Sequence, residues 1–476
     1  MGGKWQRFMI RDVSKVVTGK TPSGTLPEFF DGETLFVTPT DMNASKYIDN
    51  TLRTLSSSGE EAINRVVFDK GIVVSCIGWQ MGKSSIVRRK AATNQQINTV
   101  IPDESVIDFD FLYYVISSKR QEIFDLGSTA TRTPILKKSL FEKIEFIAPS
   151  KQKQKRIASI LSSLDNMINL NHQTNQTLEQ MAQAIFKCWF VDFEPVRAKA
   201  HVMKLGGTRQ QCEMAAQAVI AGALSLSAIT EEKELATLDQ NLTQALESTW
   251  AKQTDEQKTK LAETAMHFPD GLVESDLGEI PVGWRLSTIG DEVRIFGGGT
   301  PSTKNEAFWA GGTINWTTPK DLSGSNEKIL LKTDRKITDE GLNKISSGLL
   351  PENTVLMSSR APVGYLALTK IPLAVNQGYI AMRCEGNLSP EFVIQWAESI
   401  MDDVKQRSSG TTFAEISKKN FRVIPVLVPK SETIDVYSIQ VRALYDMITN
   451  NIKESEELSE TRDSLLPKLL SGQIEL

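Results

Sequence analysis

Gly19-Lys20-Thr21-Pro22-Ser23 returns far along the chain as Gly298-Gly299-Thr300-Pro301-Ser302. The matches continue outward in the same order. Trp5 returns as Trp284, and Phe36-Val37-Thr38-Pro39-Thr40-Asp41 as Trp316-Thr317-Thr318-Pro319-Lys320-Asp321. The apolar run Ile72-Val73-Val74-Ser75 matches Thr354-Val355-Leu356-Met357-Ser358, and Asn94-Gln95 matches Asn376-Gln377. Ile135-Leu136-Lys137-Lys138 matches Ile416-Ser417-Lys418-Lys419. A lone Thr-Pro pair signals only a turn. A series of matches at one offset near 280 residues is an internal repeat.

Each copy reads as mixed α/β, with short β-branched runs broken by Gly, Pro, Asn and Asp. The runs Gly71–Ser75 and Ser85–Val87 predict strands, as do Val355–Met357 and Tyr365–Leu368 in the second copy. Helices are predicted over Phe109–Phe124 and Pro390–Arg407. Each copy then ends in a long helix. In the first, Ile157, Ile160, Leu164, Met167, Leu178, Met181, Ile185 and Trp189 mark the apolar seam; in the second, Leu444, Met447, Ile448, Leu458 and Leu465 do. Asn171 and Asn451 put a polar residue at the same seam position, either to fix register or to face solvent. Helices of 30–40 residues would be about 45–60 Å long. The expected fold class is α/β (α+β): two repeated mixed α/β domains separated by two long helices packed as an antiparallel coiled coil, with pseudo-two-fold internal symmetry. The expected boundaries are 1–150, a central helix over 151–200, a helical insertion or linker over 201–275, a second domain over 276–430 and a C-terminal helix over 431–476.

A chain of 476 residues exceeds one ordinary core, and 40% hydrophobic with 24% charged residues is usual for a globular protein. No apolar run is long enough to span a membrane, and Met1–Trp5 lacks the apolar core of a secretory leader. The four cysteines form no CxxC, which fits a reducing cytoplasm, and three scattered histidines make no metal cluster. The net charge of −4 is uneven. Residues 201–275 hold six Lys/Arg against eleven Asp/Glu, whereas the two repeated domains are each slightly positive. Charge therefore permits nucleic-acid binding without pointing to it.

Catalytic motifs fail on inspection. Gly78-Trp79-Gln80-Met81-Gly82-Lys83-Ser84 has three residues between its glycines where a phosphate loop needs four, and the second copy has no Lys-Ser, so a hairpin turn is expected. Gly297-Gly298-Gly299-Thr300-Pro301 breaks the dinucleotide pattern at Ser302. No amino-methyltransferase Asn-Pro-Pro-Tyr motif is present, and acidic triplets such as Asp334-Arg335-Lys336 are what a charged chain yields by chance.

Leu178-Glu179-Gln180-Met181-Ala182-Gln183-Ala184-Ile185-Phe186-Lys187-Cys188-Trp189-Phe190-Val191-Asp192-Phe193-Glu194-Pro195-Val196 resembles the end of the central helical region in specificity subunits of type I restriction–modification enzymes. The segment from Leu458 through Arg462-Asp463-Ser464-Leu465-Leu466-Pro467-Lys468-Leu469-Leu470-Ser471-Gly472-Gln473-Ile474 resembles their distal helical region, and Asp276–Trp284 the opening of a target-recognition domain. The likeness spans nearly the whole chain; the long segment 203–266 departs from it. The resemblance implies a non-catalytic subunit with two target-recognition domains, one per half of a bipartite DNA sequence, and a coiled-coil ruler between them. It further implies two modification subunits that bring S-adenosylmethionine for adenine N6 methylation. Two restriction subunits would complete an ATP- and Mg-dependent nuclease. No cofactor is expected on this chain. Readers set about one DNA turn apart would span roughly 34–36 Å.

Candidate DNA contacts are loop cations and hydroxyls: Lys20, Thr21, Ser23, Thr40, Lys83, Arg132, Lys137 and Lys138, then Thr300, Ser302, Lys304, Lys320, Arg360, Arg407, Lys418 and Lys419. Each is also readable as a solvated charge, and Thr21-Pro22 and Thr300-Pro301 as turns common to both copies. The candidate partner surface is Phe186, Trp189, Phe190 and Phe193 with Leu465, Leu466, Leu469 and Leu470, unless these are core. A coiled-coil adaptor without DNA readout is the rival reading; it accounts for the helices but not for the paired α/β domains.

Overall fold

The computed structural model describes residues 5–24, 26–42, 46–128, 134–276, 278–324, 327–360, 362–408 and 414–476. They divide into two units, Met1–Gln173 with Ile452–Leu476, and Thr174–Asn451.

In the first unit the strands are β1 (Gln6–Met9), β2 (Ser14–Thr18), β3 (Phe30–Val37), β4 (Thr54–Leu55), β5 (Gly71–Ser75), β6 (Ser84–Val87), β7 (Ala91–Thr93), β8 (Ile97–Pro102) and β9 (Glu145–Ala148). They form a four-stranded sheet in the order β2-β8-β5-β6, a three-stranded sheet β4-β3-β7 and the pair β1-β9. β5 is buried along its whole length, which is why it reads as an unbroken apolar run.

In the second unit the strands are β10 (Leu272–Ser275), β11 (Gly278–Pro281), β12 (Arg285–Thr288), β13 (Arg294–Phe296), β14 (Ile314–Thr317), β15 (Ile329–Leu330), β16 (Arg335–Ile337), β17 (Val355–Ser358), β18 (Leu366–Thr369), β19 (Ala374–Val375), β20 (Tyr379–Arg383) and β21 (Pro425–Val428). Their sheets run β13-β20-β17-β18-β15, β16-β14-β19 and β12-β21, with β10-β11 as a hairpin. The order repeats that of the first unit, with β15 as an added edge and the β10-β11 hairpin as a further addition. Even the parallel pairs recur, β3 with β7 and β14 with β19.

The helix expected over Phe109–Phe124 is two helices, Phe109–Ser118 and Arg120–Gly127. Its counterpart is Pro390–Ser399 followed by Met401–Gln406. Both breaks fall on a residue near the bridge region, Lys119 (φ −94, ψ 15) and Ile400 (φ −101, ψ 13). Asp108 and Ser389 cap the first helix of each pair by accepting from the N–H groups of Phe111 and Phe392.

The long helices span Lys151–Phe186 and Ser431–Ser471. The helix read through residue 200 ends sooner. A π-turn at Lys187–Val191 and Phe193 in the left-handed region (φ 54) break it before Glu194–Lys204 begins, with Pro195 near that helix's start. Within the first unit, Asp165 meets Arg462 at 2.7 Å and Asn171 meets Ser455 at 3.3 Å. One number rises as the other falls, so the helical segments run antiparallel. Within the second unit, Asn451 donates to Asn175 at 2.8 Å. Asn171 and Asn451 are thus both hydrogen-bonded across a helix pair.

The heptad reading found part of the buried stripe: Ile157, Leu178 and Trp189 are buried as expected, and so is Ile448 on the C-terminal helix. Ile157, Leu161, Leu178, Ala182 and Phe186 are buried, together with the polar Asp165 and Asn175. Ile160, Met167 and Met181, expected in the seam, are exposed. The buried stripe tolerates polar residues because each finds a bonded partner, a fact that apolar spacing does not contain.

Residues 201–275 include four helices, Arg209–Ile220, Leu226–Thr230, Leu235–Trp250 and Asp255–Met266. With Glu194–Lys204 they close a core of their own around Val202, Cys212, Ala215, Leu238, Leu242 and Leu246. Lys199 is buried inside it, donating to the Phe268 carbonyl at 2.8 Å and ion-paired with Glu213 (3.0 Å) and Asp270 (3.3 Å). Among the described residues no helix is long and apolar enough to cross a membrane.

Candidate nucleic-acid interface

The residues shared by both copies come first. Thr21 donates to Gln95 at 2.7 Å, and Thr300 donates to Gln377 at 2.7 Å. The glycine before each turn has no room for a side chain. A Cβ on Gly19 would lie 2.2 Å from the Asn94 carbonyl, and one on Gly298 would lie 1.7 Å from that of Val375. Thr38 and Asp41 form a capping box that Thr318 and Asp321 repeat. The shared hydroxyls of Thr21 and Thr300 are therefore engaged in holding the turn, which favours the structural reading of both Thr-Pro pairs. Thr40 shares its hydroxyl with Thr38 at 2.7 Å. Ser23 and Ser302 are exposed, and Ser302 accepts the Trp309 indole N–H on its carbonyl.

The cations sort by partner. Lys20, Lys137, Lys304, Lys320, Lys418 and Lys419 are exposed and have no carboxylate partner among the described residues. Lys83 is half-buried in a cleft of about 270 Å³ lined by Tyr113, Arg120, Asp165 and Arg462. Lys138 pairs with Glu142 at 3.5 Å, and Arg360 lies 4.0 Å from Glu415. The Arg407 Nε donates to both carboxylate oxygens of Asp403, one helical turn back, at 2.9 and 2.8 Å. Arg132 lies outside the described residues.

Gly78–Ser84 forms the expected hairpin turn between β5 and β6, with Gly78 (φ 77) and Gly82 (φ 83) supplying the left-handed positions. The tip carries Trp79, 80% exposed and stacked on Phe124 at 6.2 Å. Gly78 is tied to the neighbouring loop by its N–H on the Pro134 carbonyl at 2.9 Å. The matching connection after β17 carries Tyr365 just before β18 and no tryptophan. Trp79 was absent from the sequence candidates; its signal was an aromatic at a hairpin tip.

Each domain is fixed to its helices by buried polar groups. Lys46, almost fully buried, donates to Ser162 (2.8 Å) and Tyr114 (3.1 Å) and pairs with Asp110 (3.1 Å). Tyr114 in turn donates to Asp165. Burial alone would raise the Asp110 carboxyl; Lys46 and Arg88 beside it hold it below the ordinary range. In the second unit Lys328 pairs with Glu179 (2.7 Å) and Glu398 (3.2 Å). Gln395 bridges Glu179 and Tyr445 at 2.9 and 2.7 Å.

Half of the expected partner surface is buried and the rest is partly buried. Phe186, Trp189 and Phe190 are at most 7% exposed and form an aromatic cluster with Phe392 and Tyr437. Phe193 is half-buried with its ring edge-on to Trp284. Leu469 is buried in the first domain's core, and Leu465, Leu466 and Leu470 pack against it. Rings at helical spacing served as core here because both long helices present apolar faces to a domain. The large apolar residues left outside are Ile160, Met167, Leu170 and Met181 on the central helix, and Ile439 and Met447 on the C-terminal one. Met167 and Met447 sit at equivalent positions of the repeat.

Residues 2–180 and 281–458 match the family model described as the type I restriction modification DNA specificity domain. The chain is 28% identical to the type I restriction enzyme HindI specificity subunit of Haemophilus influenzae, with 99% of each chain covered. It is 22% identical to the MjaIX specificity subunit of Methanocaldococcus jannaschii, covering 99% of this chain and 93% of that one. Among solved structures, the S subunit of a type I restriction–modification system from M. genitalium shares the fold, with TM-score 0.50, 15% identity, and 98% and 96% of the two chains covered.

Proposed function

The chain belongs to the type I restriction–modification DNA specificity family, and from that premise we propose that it reads a bipartite DNA target, one half with each α/β domain. The observation that carries this reading is the duplicated strand order, whose connecting segments differ in sequence between the two copies. Residues common to both copies build the turns. The loops that differ, residues 78–84 against 359–364 and the segments before Lys137 and Lys418, select different half-sites by base-edge contact. Lys20, Lys83, Lys137, Lys304, Lys320, Lys418 and Lys419 supply phosphate and base contacts, and the slight positive charge of each domain leaves much of the nonspecific grip to partners.

The chain has no catalytic role of its own in this reading. Two modification subunits bind the helical part, with the exposed Ile160, Met167 and Leu170 and the Ile439 and Met447 side chains as apolar footholds. They carry S-adenosylmethionine and methylate adenine N6; two restriction subunits carry ATP and Mg and cut. The complex works in the cytoplasm, and the helices act as a coiled-coil ruler between the readers.

Methylome sequencing of a host expressing the chain with its methyltransferase tests this. The expected result is a bipartite N6-methyladenine motif that vanishes when this gene is deleted. No such motif, with the partner expressed and bound, overturns the reading.

A further inference from the structure

Arg53 and Arg335 occupy one position in the two copies. The Phe36 N–H donates to the Arg53 carbonyl at 3.2 Å, and Trp316 is the register partner of Arg335. Thr51 donates its hydroxyl to the Arg53 carbonyl at 2.6 Å, and Thr333 to that of Arg335 at 2.8 Å. Asp41 accepts the Leu52 N–H at 2.8 Å, and Asp321 accepts the Asp334 N–H at 3.0 Å. Both arginines are thus presented by the same turn, a Thr-x-Arg held by the aspartate of the Thr-Pro-x-Asp box.

Both guanidinium groups lie over aromatic rings. Arg53 sits 3.7 Å from the Phe30 centroid, and Arg335 sits 3.5 Å from Trp309 and 5.4 Å from Trp316. The two indole N–H groups are bonded to the Ser302 and Gly299 carbonyls, so these rings are fixed. Both arginines remain exposed, and neither has a carboxylate partner among the described residues, although Asp334 is the chain neighbour of Arg335. Beside Arg53 opens a cleft of about 350 Å³ whose lining includes Thr40, Asn94, Gln96 and Asp41, the last with its carboxylate taken up by the Thr38 and Leu52 N–H groups and the Thr38 hydroxyl.

We propose that Arg53 and Arg335 are paired phosphodiester anchors, one on each domain, that set each reader on the DNA backbone without reading sequence. The proposal rests on the DNA-reading function above. A residue held identically in two readers of different half-sites serves what the half-sites share, and that is the backbone. A planar guanidinium stacked on a ring loses little further freedom on binding, and its free donors match a phosphate fork. The shared Thr21 and Thr300 hydroxyls are already engaged, whereas these two cations are not.

The test uses R53Q and R335Q in the full complex with its methyltransferase. Glutamine keeps a polar stem over the ring and removes the charge. Binding to fluorescent duplexes, one with the methylome-derived target and one scrambled, is measured from about 50 to 200 mM salt. Each substitution is expected to weaken both duplexes by the same factor. Each should also flatten the plot of log K against log salt by about 0.9, and the double variant by twice that. R53K should retain the slope. An unchanged slope with a lowered thermal midpoint would make the arginines structural braces and overturn the proposal, as would loss confined to the target duplex. If the unsubstituted complex binds both duplexes equally, the DNA-specificity reading fails, while the slope still decides the phosphate role.

Discussion

Asp110 shows how a single carboxylate holds the lysine that ties a reader to its helix, since Lys46 pairs with it and donates to Ser162. Its folded pKa is depressed because Lys46 and Arg88 outweigh burial. A depressed carboxylate contributes stability that is present above its unfolded pKa and lost as pH falls through the folded value. D110N should therefore lower the thermal midpoint at neutral pH, and the gap to the unsubstituted chain should close below about pH 4. Equal gaps at pH 7 and pH 3 would contradict this. The cysteines give a second residue-scale expectation. Burial pushes the Cys76 thiol up to about 12, and burial together with Glu194 does the same for Cys188. Neither should react with a thiol reagent at pH 8 in the folded chain, whereas denaturant should release all four thiols. Rapid labelling of Cys76 in the folded chain would show that its site opens. At this scale the sequence was informative where a position is demanded twice. Gly19 and Gly298 are glycines because a Cβ collides with backbone in both copies. It was uninformative about which cations lack partners, since Asp403 and Glu142 neutralise Arg407 and Lys138 only once helices bring them together.

The long helices carry the main difference between spacing and packing. Apolar residues recur at helical spacing on more than one face, so the pattern alone admitted several seams. The face that won includes Asp165 and Asn175, which the partner helix and domain satisfy. The exposed Met167 and the buried Trp189 then make opposite predictions. W189A should destabilise the second unit by about 3–5 kcal/mol in denaturant unfolding, because it empties a ring-lined core site. M167A should change stability by less than about 0.5 kcal/mol yet weaken association with the modification subunit, read by sedimentation of the complex. A stability loss without an assembly defect in M167A would return the partner surface to the question. The π-turn and left-handed Phe193 that end the central helix had no legible sequence signal beyond Pro195.

Taken whole, the molecule is two copies of one plan, each a reader seated on parts of both long helices. Each domain carries its own contacts to the helices, Lys46 to Ser162 in one and Lys328 to Glu179 in the other, so readers should be exchangeable as units. Replacing residues 1–150 with another reader should change one half of the methylated motif and leave the other half intact. Methylome sequencing checks it; a change in both halves would show that the domains do not read independently. The helical insertion is a folded module with its own core, closed by buried Lys199.

The sequence by itself determined the duplication, the mixed α/β character of each copy and the presence of two long helices, because these follow from local order: recurring turns, β-branched runs and helical periodicity. Only the tertiary structure decided which helix face is buried and which aromatics are core. It also decided which cations remain free and that Arg53 and Arg335 stand on equivalent ground. Each of those depends on a partner distant in sequence, such as Arg462 for Asp165 or Tyr437 for Trp189, and pairing across that distance is settled by packing and satisfied hydrogen bonds rather than by local spacing.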